Sequence, residues 1–309
     1  MRRILGLVII NIILIILLGI FTPHFLSRAN LVVMADNIAL EIIVLSGYAL
    51  LLIGGYFDLS VDGVIALTGV VAGLLMNNGL AWYFAVILSL LVSGTIGTIN
   101  GIVVAKLGIN GLIATLTTWW ICVGFSFGLT KATAPYGFPE AFKIIGQSKI
   151  LGFKSFVLYA IIIALVLSVI LHYKRMGAHI YASGDNRQAS EMMGIDTTKL
   201  GIKLYIIMGV IAGFIGLILA SRLDAASPIA VDGVALRVIA ALVIGGCTLS
   251  GGKGTIIGGV LGLIIMHILS NSIIQLGINP YWQKAMLGAV LLVASLSEKI
   301  NFKRRFRSV

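Results

Sequence analysis

Charged residues are scarce in this chain. Asp, Glu, Lys and Arg make up 11% of the 309 residues, hydrophobic residues make up 59%, and the mean hydropathy is +1.10. A soluble globule needs more polar surface than this to cover itself, so a soluble fold is excluded. We predict an all-α polytopic membrane protein in which residues 1–309 form a single transmembrane domain.

Cysteine is also rare. Cys122 and Cys247 are the only two, both lie inside apolar runs, and their spacing fits neither a metal site nor a disulfide framework. We interpret them as reduced packing residues.

The groups that nucleic-acid binding or catalysis would need are missing. The net charge is +11, but the basic residues sit in short segments between apolar runs and form no base-reading face, so no nucleic-acid partner is expected. No HExxH motif, paired carboxylates or Ser/His/Asp set is present, and we expect no catalytic residues, metal site or cofactor.

Residues 251–255 only partly match a phosphate-binding loop. The pattern G-x-x-x-x-G-K-[ST] would require Gly at Cys247 and Ser or Thr at Gly254. We therefore predict no nucleotide-binding site, and a tight hairpin between two spans with Lys253 at the membrane boundary.

Long apolar runs dominate what is present. With roughly 20 residues needed per span, about ten spans are predicted. They cover residues 4–21, 34–53, 61–77, 81–104, 111–130, 155–173, 201–221, 234–249, 255–276 and 282–297. The first follows Met1, Arg2 and Arg3 in the manner of a signal peptide, but it is long enough to span and no small-residue cleavage site follows, so a retained helix is expected.

The basic residues predict the orientation. With the N-terminus inside, fourteen Lys and Arg fall inside and six outside, which predicts that both termini are cytoplasmic. The inside group is Arg2, Arg3, Lys106, Lys174, Arg175, Arg187, Lys199, Lys203, Lys253, Lys299, Lys303, Arg304, Arg305 and Arg307; the outside group is Arg28, Lys131, Lys143, Lys149, Lys154 and Arg222.

The cytoplasmic loop 174–203 interrupts the spans with a short polar helix. Asp185 is predicted to cap it with Gln188 completing a capping box, and Gly194 to end it in a left-handed conformation. Ala189, Met192 and Met193 share one apolar face, which is rimmed by Arg187, Ser190 and Glu191. This surface suits a groove on a partner protein, although a solvated connector packed on its own helix ends is the alternative.

The external loop 131–153 is predicted to contain a turn near Pro135–Pro139 and then a short interfacial helix from Glu140. A docking lip and a plain connector are equally compatible with it.

Glycine pairs at small-xxx-small spacing predict closely packed helices. They are Gly69 with Gly73, Gly209 with Gly213 and Gly258 with Gly262. Residues 54–60 and 245–250 echo each other weakly, which indicates either two related halves or coincidence.

Ionisable residues at membrane depth are few: Glu41, Asp58, Asp62, Arg237, His267 and Lys284. Such residues are functional candidates. The simplest interpretations are that Asp58 and Ser60 cap the following helix, that Asp232 neutralises Arg237, and that His267 is a hydrogen-bonded bundle residue. Without a chain of acidic groups along the spans, a proton-coupled carrier is disfavoured, whereas sodium coupling stays open.

The chain resembles the permease subunits of bacterial ABC importers of the ribose and simple-sugar type. The strongest matches are at 182–195, 220–228 and 239–254, with further matches at 58–61, 100–106, 114–117 and 280–283. The resemblance implies that residues 184–195 form a coupling helix for a separate ATPase, with these residues as its candidates: Gly184, Asp185, Asn186, Ala189, Met192, Met193 and Gly194. Candidates for the translocation path are Asp58, Ser60, Asn100, Thr115, Thr117 and Arg237.

The resemblance also implies the partners. These are ABC ATPase subunits, a second copy or a sister permease, an extracytoplasmic solute-binding protein, a small polar solute and the lipid bilayer of the bacterial inner membrane, with transport by ATP-driven alternating access. The chain departs from the family pattern at Tyr56, Phe57, Asp62, Asn110 and Arg237. A permease for branched-chain amino acids or nucleosides, and a stand-alone secondary carrier or channel, are the alternatives.

Overall fold

The computed structural model describes residues 2–22, 24–150 and 152–306, with the backbone alone for residues 2, 294, 295 and 297–306. Met1 and Arg307 lie outside the described residues. Within these residues the regular structure is helical apart from one hairpin of two short strands. The helices are α1 Arg2–Phe21, α2 Arg28–Ile53, α3 Val61–Asn77, α4 Trp82–Gly101, a π-helix Ile102–Lys106, α5 Gly111–Thr130, α6 Glu140–Gln147, α7 Ser155–Tyr173, α8 Arg175–Asp185, α9 Arg187–Met192, α10 Thr197–Leu223, α11 Val234–Gly245, α12 Ile256–Gln275 and α13 Trp282–Phe306.

Seven of the described helices are long and apolar enough to cross a membrane: Arg3–Phe21, Arg28–Ile53, Trp82–Lys106, Gly111–Thr130, Ser155–Tyr173, Thr197–Leu223 and Ile256–Gln275. Three shorter apolar helices, Val61–Asn77, Val234–Gly245 and Trp282–Val293, occupy the remaining predicted runs. Each of the ten predicted runs therefore contains a helix, although α11 ends at Gly245 and the predicted run 234–249 extends into the following turn. The protein is a multi-pass membrane protein.

Helices α2 and α10 form the centre of the bundle. In their most apolar windows 78% and 72% of the residues are buried, against 11% in α1 and 17% in α5. Helix α10 packs on α3 and α4, while α2 packs on α7 and α12. Because apolar side chains cover α1 and α5 on most sides without protein contact, these helices have the surface expected next to lipid.

Four of the six paired glycines lie where helix backbones approach closely, as predicted: Gly69, Gly209, Gly258 and Gly262. Gly213 instead meets the Ser93 side chain, and Gly73 meets the Phe138 side chain of the 131–153 segment. A Cβ at Gly209 would stand 2.5 Å from the Ser93 carbonyl oxygen of α4, and one at Gly262 would stand 2.1 Å from the Ala241 carbonyl oxygen of α11. No side chain fits at such distances, so these glycines set the α10–α4 and α12–α11 spacing.

The 131–153 segment contains the predicted turn and short helix, α6. It also contains an antiparallel hairpin, β1 Lys149–Ile150 and β2 Phe153–Lys154, which the sequence did not indicate. Helix α6 is held to the end of α10, where Ser221 Oγ accepts from Gly146 N at 2.8 Å and Gln147 donates to the Ser221 carbonyl. Lys143 pairs with Asp224 at 2.9 Å, and this contact opposes the effect of partial burial and lowers the pKa of Asp224.

Both cysteines are free and buried, as predicted. Residues 246–255 form the predicted hairpin between α11 and α12, with Gly251 and Gly252 at φ +87° and +77°. Cys247 and Gly254 lie against each other inside this turn.

Candidate functional site

The two ends of α10 carry different features. Its first residue, Thr197, lies beside α9, whereas Ser221 and Arg222 at its other end contact α6 and a polar cavity. The loops 131–153 and 174–203 therefore lie at opposite ends of one helix.

The 174–203 segment holds two helices rather than one. Helix α8 continues through Asp185, so Asp185 is not the cap of the short helix; that prediction is wrong by one residue. The cap is Asn186, whose Oδ1 accepts from Ala189 N at 3.0 Å. With Asn186 as the cap, Gln188 lies at the second helical position and Ala189, which has no side-chain acceptor, lies at the third, so the predicted capping box does not form.

The end of α9 is as predicted. Gly194 adopts φ +83°, and Ile195 N closes the turn on the Ser190 carbonyl at 3.0 Å. Met192 and Met193 are 90% and 70% exposed, whereas Ala189 is half-buried. Ser190 is buried and donates to the Asn186 carbonyl, so it belongs to the inner face and not to the predicted rim.

Arg187 fixes α9 to the membrane bundle. Its guanidinium donates to the Ala105 carbonyl of the π-helix, to Thr197 Oγ1 and to Glu191 Oε1, each at 3.2 Å. Hydrogen bonds from Thr197 and then Arg187 lower the pKa of Glu191. The exposed methionines thus lie at the end of a helix whose other side is tied to the π-helix and to α10.

Gly184 places α8 directly on the end of α2. A Cβ at Gly184 would stand 1.9 Å from the Ile53 carbonyl oxygen and 2.5 Å from Gly252 N. Gly252 N donates to that same carbonyl at 2.8 Å, and Tyr181 Oη donates to the Gly254 carbonyl at 2.8 Å. Residues 53–55, 181–185 and 251–254, distant in sequence, form one junction.

A buried polar network holds the turn between α2 and α3. Asp58 accepts from Ser60 N at 2.8 Å, Asn100 Nδ2 donates to Ser60 Oγ at 2.9 Å, and Thr118 Oγ1 donates to Asn100 Oδ1 at 2.7 Å. Leu59 N donates to Thr115 Oγ1. Ser60 occupies the N-cap position of α3 without a side-chain capping bond, so the predicted capping by Asp58 and Ser60 is wrong.

Tyr56, one of the residues at which the chain departs from the family pattern, links this turn to α10. Its hydroxyl donates to the Thr197 carbonyl at 3.2 Å, and its ring meets the Tyr205 ring edge-on at 5.8 Å. Gly201 leaves the space for it, since a Cβ there would stand 2.5 Å from Tyr56 Oη.

Asp62 also departs from the family pattern, and it caps a helix that is distant in sequence. Its two oxygens accept from Gly233 N at 2.8 Å and Ala235 N at 3.0 Å, at the first turn of α11. A carboxylate is favourable there because helix N-termini carry partial positive charge.

A cavity of about 400 Å³ lies between α2, α3, α10, α11, α12 and α13 at the α6 end of α10. Its polar lining residues are Asn37, Glu41, Arg222, Asp232, Arg237, His267, Ser270, Asn271 and Gln283. This volume is within the range of small-molecule sites.

Glu41 is the centre of the cavity's charged groups. One carboxylate oxygen accepts from Arg237 Nη1, and the other lies 3.1 Å from His267 Nε2. Glu41 and His267 are each 7% exposed. The prediction that Asp232 neutralises Arg237 is wrong: Asp232 precedes α11 and pairs with Lys284 at 2.6 Å. The hydrogen-bonded role predicted for His267 is confirmed.

The six predicted path residues fall in three places. Asp58, Ser60, Asn100 and Thr115 belong to the buried network; Thr117 is exposed on α5 and donates to the Ile113 carbonyl; Arg237 alone lines the cavity. Sequence reasoning missed the pairing of Glu41 with Arg237, for which their opposite charges at membrane depth were the available signal.

Comparison with known proteins identifies the family. The branched-chain amino acid transport system / permease component family matches residues 31–295. The chain belongs to this family. It is the permease component of a transport system and not an enzyme.

The permease has similar curated relatives along nearly its whole length. It is 33% identical to the ribose import permease protein of Escherichia coli (strain K12) over 92% of this chain and 90% of the relative. It is 31% identical to a probable ABC transporter permease protein of Sinorhizobium fredii over 95% of this chain and 88% of the relative. It is also 31% identical to the D-allose transport system permease protein of E. coli (strain K12) over 94% of this chain and 90% of the relative. No solved structure matches the chain significantly.

Proposed function

We propose that this permease is the membrane-spanning subunit of a binding-protein-dependent ABC importer that carries a monosaccharide by ATP-driven alternating access. The observation that carries the proposal is the position of the two features on α10. A short helix with exposed methionines is clamped at one end and a polar cavity lies at the other, across 27 residues or roughly 40 Å of helix. This arrangement suits transmission of motion from an ATPase to a solute path.

The proposed partners follow from these surfaces. The coupling helix of Gly184, Asp185, Asn186, Ala189, Met192, Met193 and Gly194 would receive an ATPase subunit. Met192 and Met193 are its exposed apolar side chains, and flexible methionines of this kind suit a helix that docks in a groove. A second permease, identical or related, would complete the path, and a solute-binding protein would dock at the α6 end.

The proposed topology has ten spans with both termini and the 174–203 loop in the cytoplasm. The three short apolar helices support it by filling the predicted positions. Cysteine labelling tests the sides directly, because Cys122 and Cys247 are both buried and give little background. In sealed spheroplasts an impermeant maleimide should label Tyr136→Cys and spare Met192→Cys; the reverse pattern would contradict the orientation.

Arg237 is proposed as a path residue because it lines the cavity. Asp58, Ser60, Asn100 and Thr115 are proposed to act indirectly, by holding the turn that touches both the cavity helices and the coupling loop. Thr117 stays a path prediction that would require a neighbouring permease to enclose it, since its side chain is exposed on α5.

Uptake into proteoliposomes tests the function. The permease, its ATPase and its binding protein should accumulate labelled D-ribose or D-allose only with ATP inside the compartment that holds the ATPase. Uptake by the permease alone, driven by an ion gradient, would favour a secondary carrier. The family description favours one further candidate, a branched-chain amino acid; uptake of labelled L-leucine in place of both sugars would select it.

A further inference from the structure

The cavity contains hydrogen-bonding groups that the protein itself does not use. Within the described residues, Arg237 uses one guanidinium nitrogen on Glu41, His267 uses one ring nitrogen, and Asn37 makes no side-chain hydrogen bond. An arginine side chain has five N–H donors and an amide both donors and acceptors. Unused donors and acceptors around an open volume are what a polar solute needs.

The charges around the cavity are balanced within the described residues. Glu41 faces Arg237, Arg222 lies 3.9 Å from Asp36, and Asp232 pairs with Lys284. A charged solute would have to separate one of these pairs, which is costly away from water. A neutral hydroxyl can donate to Glu41 and accept from Arg237 at once, so it keeps both charges compensated.

The cluster also connects the helices that surround the cavity. Glu41 lies on α2, Arg237 on α11 and His267 on α12, and a second contact between α2 and α12 is the reciprocal amide pair of Asn30 and Asn271, at 2.8 and 3.1 Å. A solute that bonded to this cluster would contact three helices, of which α2 ends at the junction with α8 and α12 begins at Ile256, just after it.

We propose that the cavity is the intramembrane solute-binding site of the permease, with Glu41, Arg237 and His267 as the contacts that select a neutral polyhydroxylated solute. This inference rests on the proposed import function and adds the site and its selectivity. Asn37 and Asn271 supply the adjoining amide contacts.

The test uses the complete importer in proteoliposomes, supplied with saturating binding protein preloaded with labelled D-ribose or D-allose, so that selection by the binding protein is not the variable. Glu41→Gln and Arg237→Gln should each lower uptake about 10-fold or more, the range expected when a buried charged contact is lost. Co-purification of the ATPase subunit with each variant checks that the importer still assembles. Ser89→Ala, a buried hydroxyl of α4 outside the cavity, should behave as wild type.

A charge-reversed double variant, Glu41→Arg with Arg237→Glu, separates a role in solute binding from a role in holding the helices together. It restores an ion pair between α2 and α11 but exchanges donor and acceptor positions, so we expect recovered thermal stability with uptake still about 10-fold low. Recovery of uptake together with stability would overturn the proposal, as would wild-type uptake in Glu41→Gln. If the wild-type importer took up L-leucine and neither sugar, the proposed substrate class would be wrong. That result comes from the unmodified protein, so it is distinguishable from failure of the proposed site, which the variants test.

Discussion

Gly184 lies against the carbonyl oxygen of Ile53 so closely that a Cβ would stand 1.9 Å from it. The polar loop thus packs directly on the end of the central helix α2, so a movement of α8 would displace that end of α2. The absence of a side chain at this position is what allows the contact.

Gly184→Ala should therefore disturb the junction. Backbone on both sides must shift to admit a methyl group, and the cost should be on the order of 1–3 kcal/mol, the range of overpacked cores. Thermal unfolding of the detergent-solubilised permease measures it. Gly124→Ala on α5 is the matched control, because nothing lies within 4 Å of a Cβ there. Equal melting temperatures for the two variants would contradict the tight junction.

The cap of α9 gives a second prediction. Asn186→Ala removes the side chain that accepts from Ala189 N and should lower the local stability of residues 187–192 by about 1 kcal/mol. Asp185→Ala should have a smaller effect, because Asp185 is the last residue of α8 and does not cap α9. Amide hydrogen exchange of the segment compares them. Faster exchange in Asp185→Ala than in Asn186→Ala would reverse the assignment.

Much of the fold followed from the sequence, and specific contacts did not. The helices could be predicted because an apolar run of sufficient length specifies a helix by itself. The cap was misplaced by one residue because α8 runs on through Asp185, which local pattern cannot reveal. Glu41 and Arg237 are 196 residues apart, and Asp232 offered a nearer but incorrect partner. Such pairings depend on how helices pack, not on spacing.

Asp62 gives a third prediction, on stability. Asp62→Ala leaves the N–H groups of Gly233 and Ala235 without this acceptor and should cost about 1–3 kcal/mol. Asp62→Asn keeps one carbonyl oxygen and should cost less. The melting temperature of the purified permease reports both. Glu140→Ala, whose side chain is 90% exposed in a surface pair, should change it little. An Asp62→Ala protein as stable as wild type would show that α11 does not depend on this cap.

The exposed face of α9 gives a fourth prediction, on association with the ATPase. Ala189→Glu and Met192→Glu should weaken association with the ATPase subunit about 10-fold or more, since each places a charge in an apolar contact. The Met192→Glu permease should stay folded, because the Met192 side chain is 90% exposed and touches little of the bundle. Co-purification against Lys199→Glu, a charge change at an exposed position of the same loop, makes the comparison. Equal recovery of the ATPase with all three variants would favour a solvated connector.

Site-specific photocross-linking tests the coupling assignment most directly. With benzoylphenylalanine in place of Met192, irradiation of native membranes should join the permease to an ATPase subunit, identified by mass spectrometry through its Walker motifs. The same probe at Leu165, which is 61% exposed on α7, should not. Cross-linking of an ATPase at 192 and not at 165 is the predicted result; no ATPase at 192, or equal capture at both positions, would contradict the account.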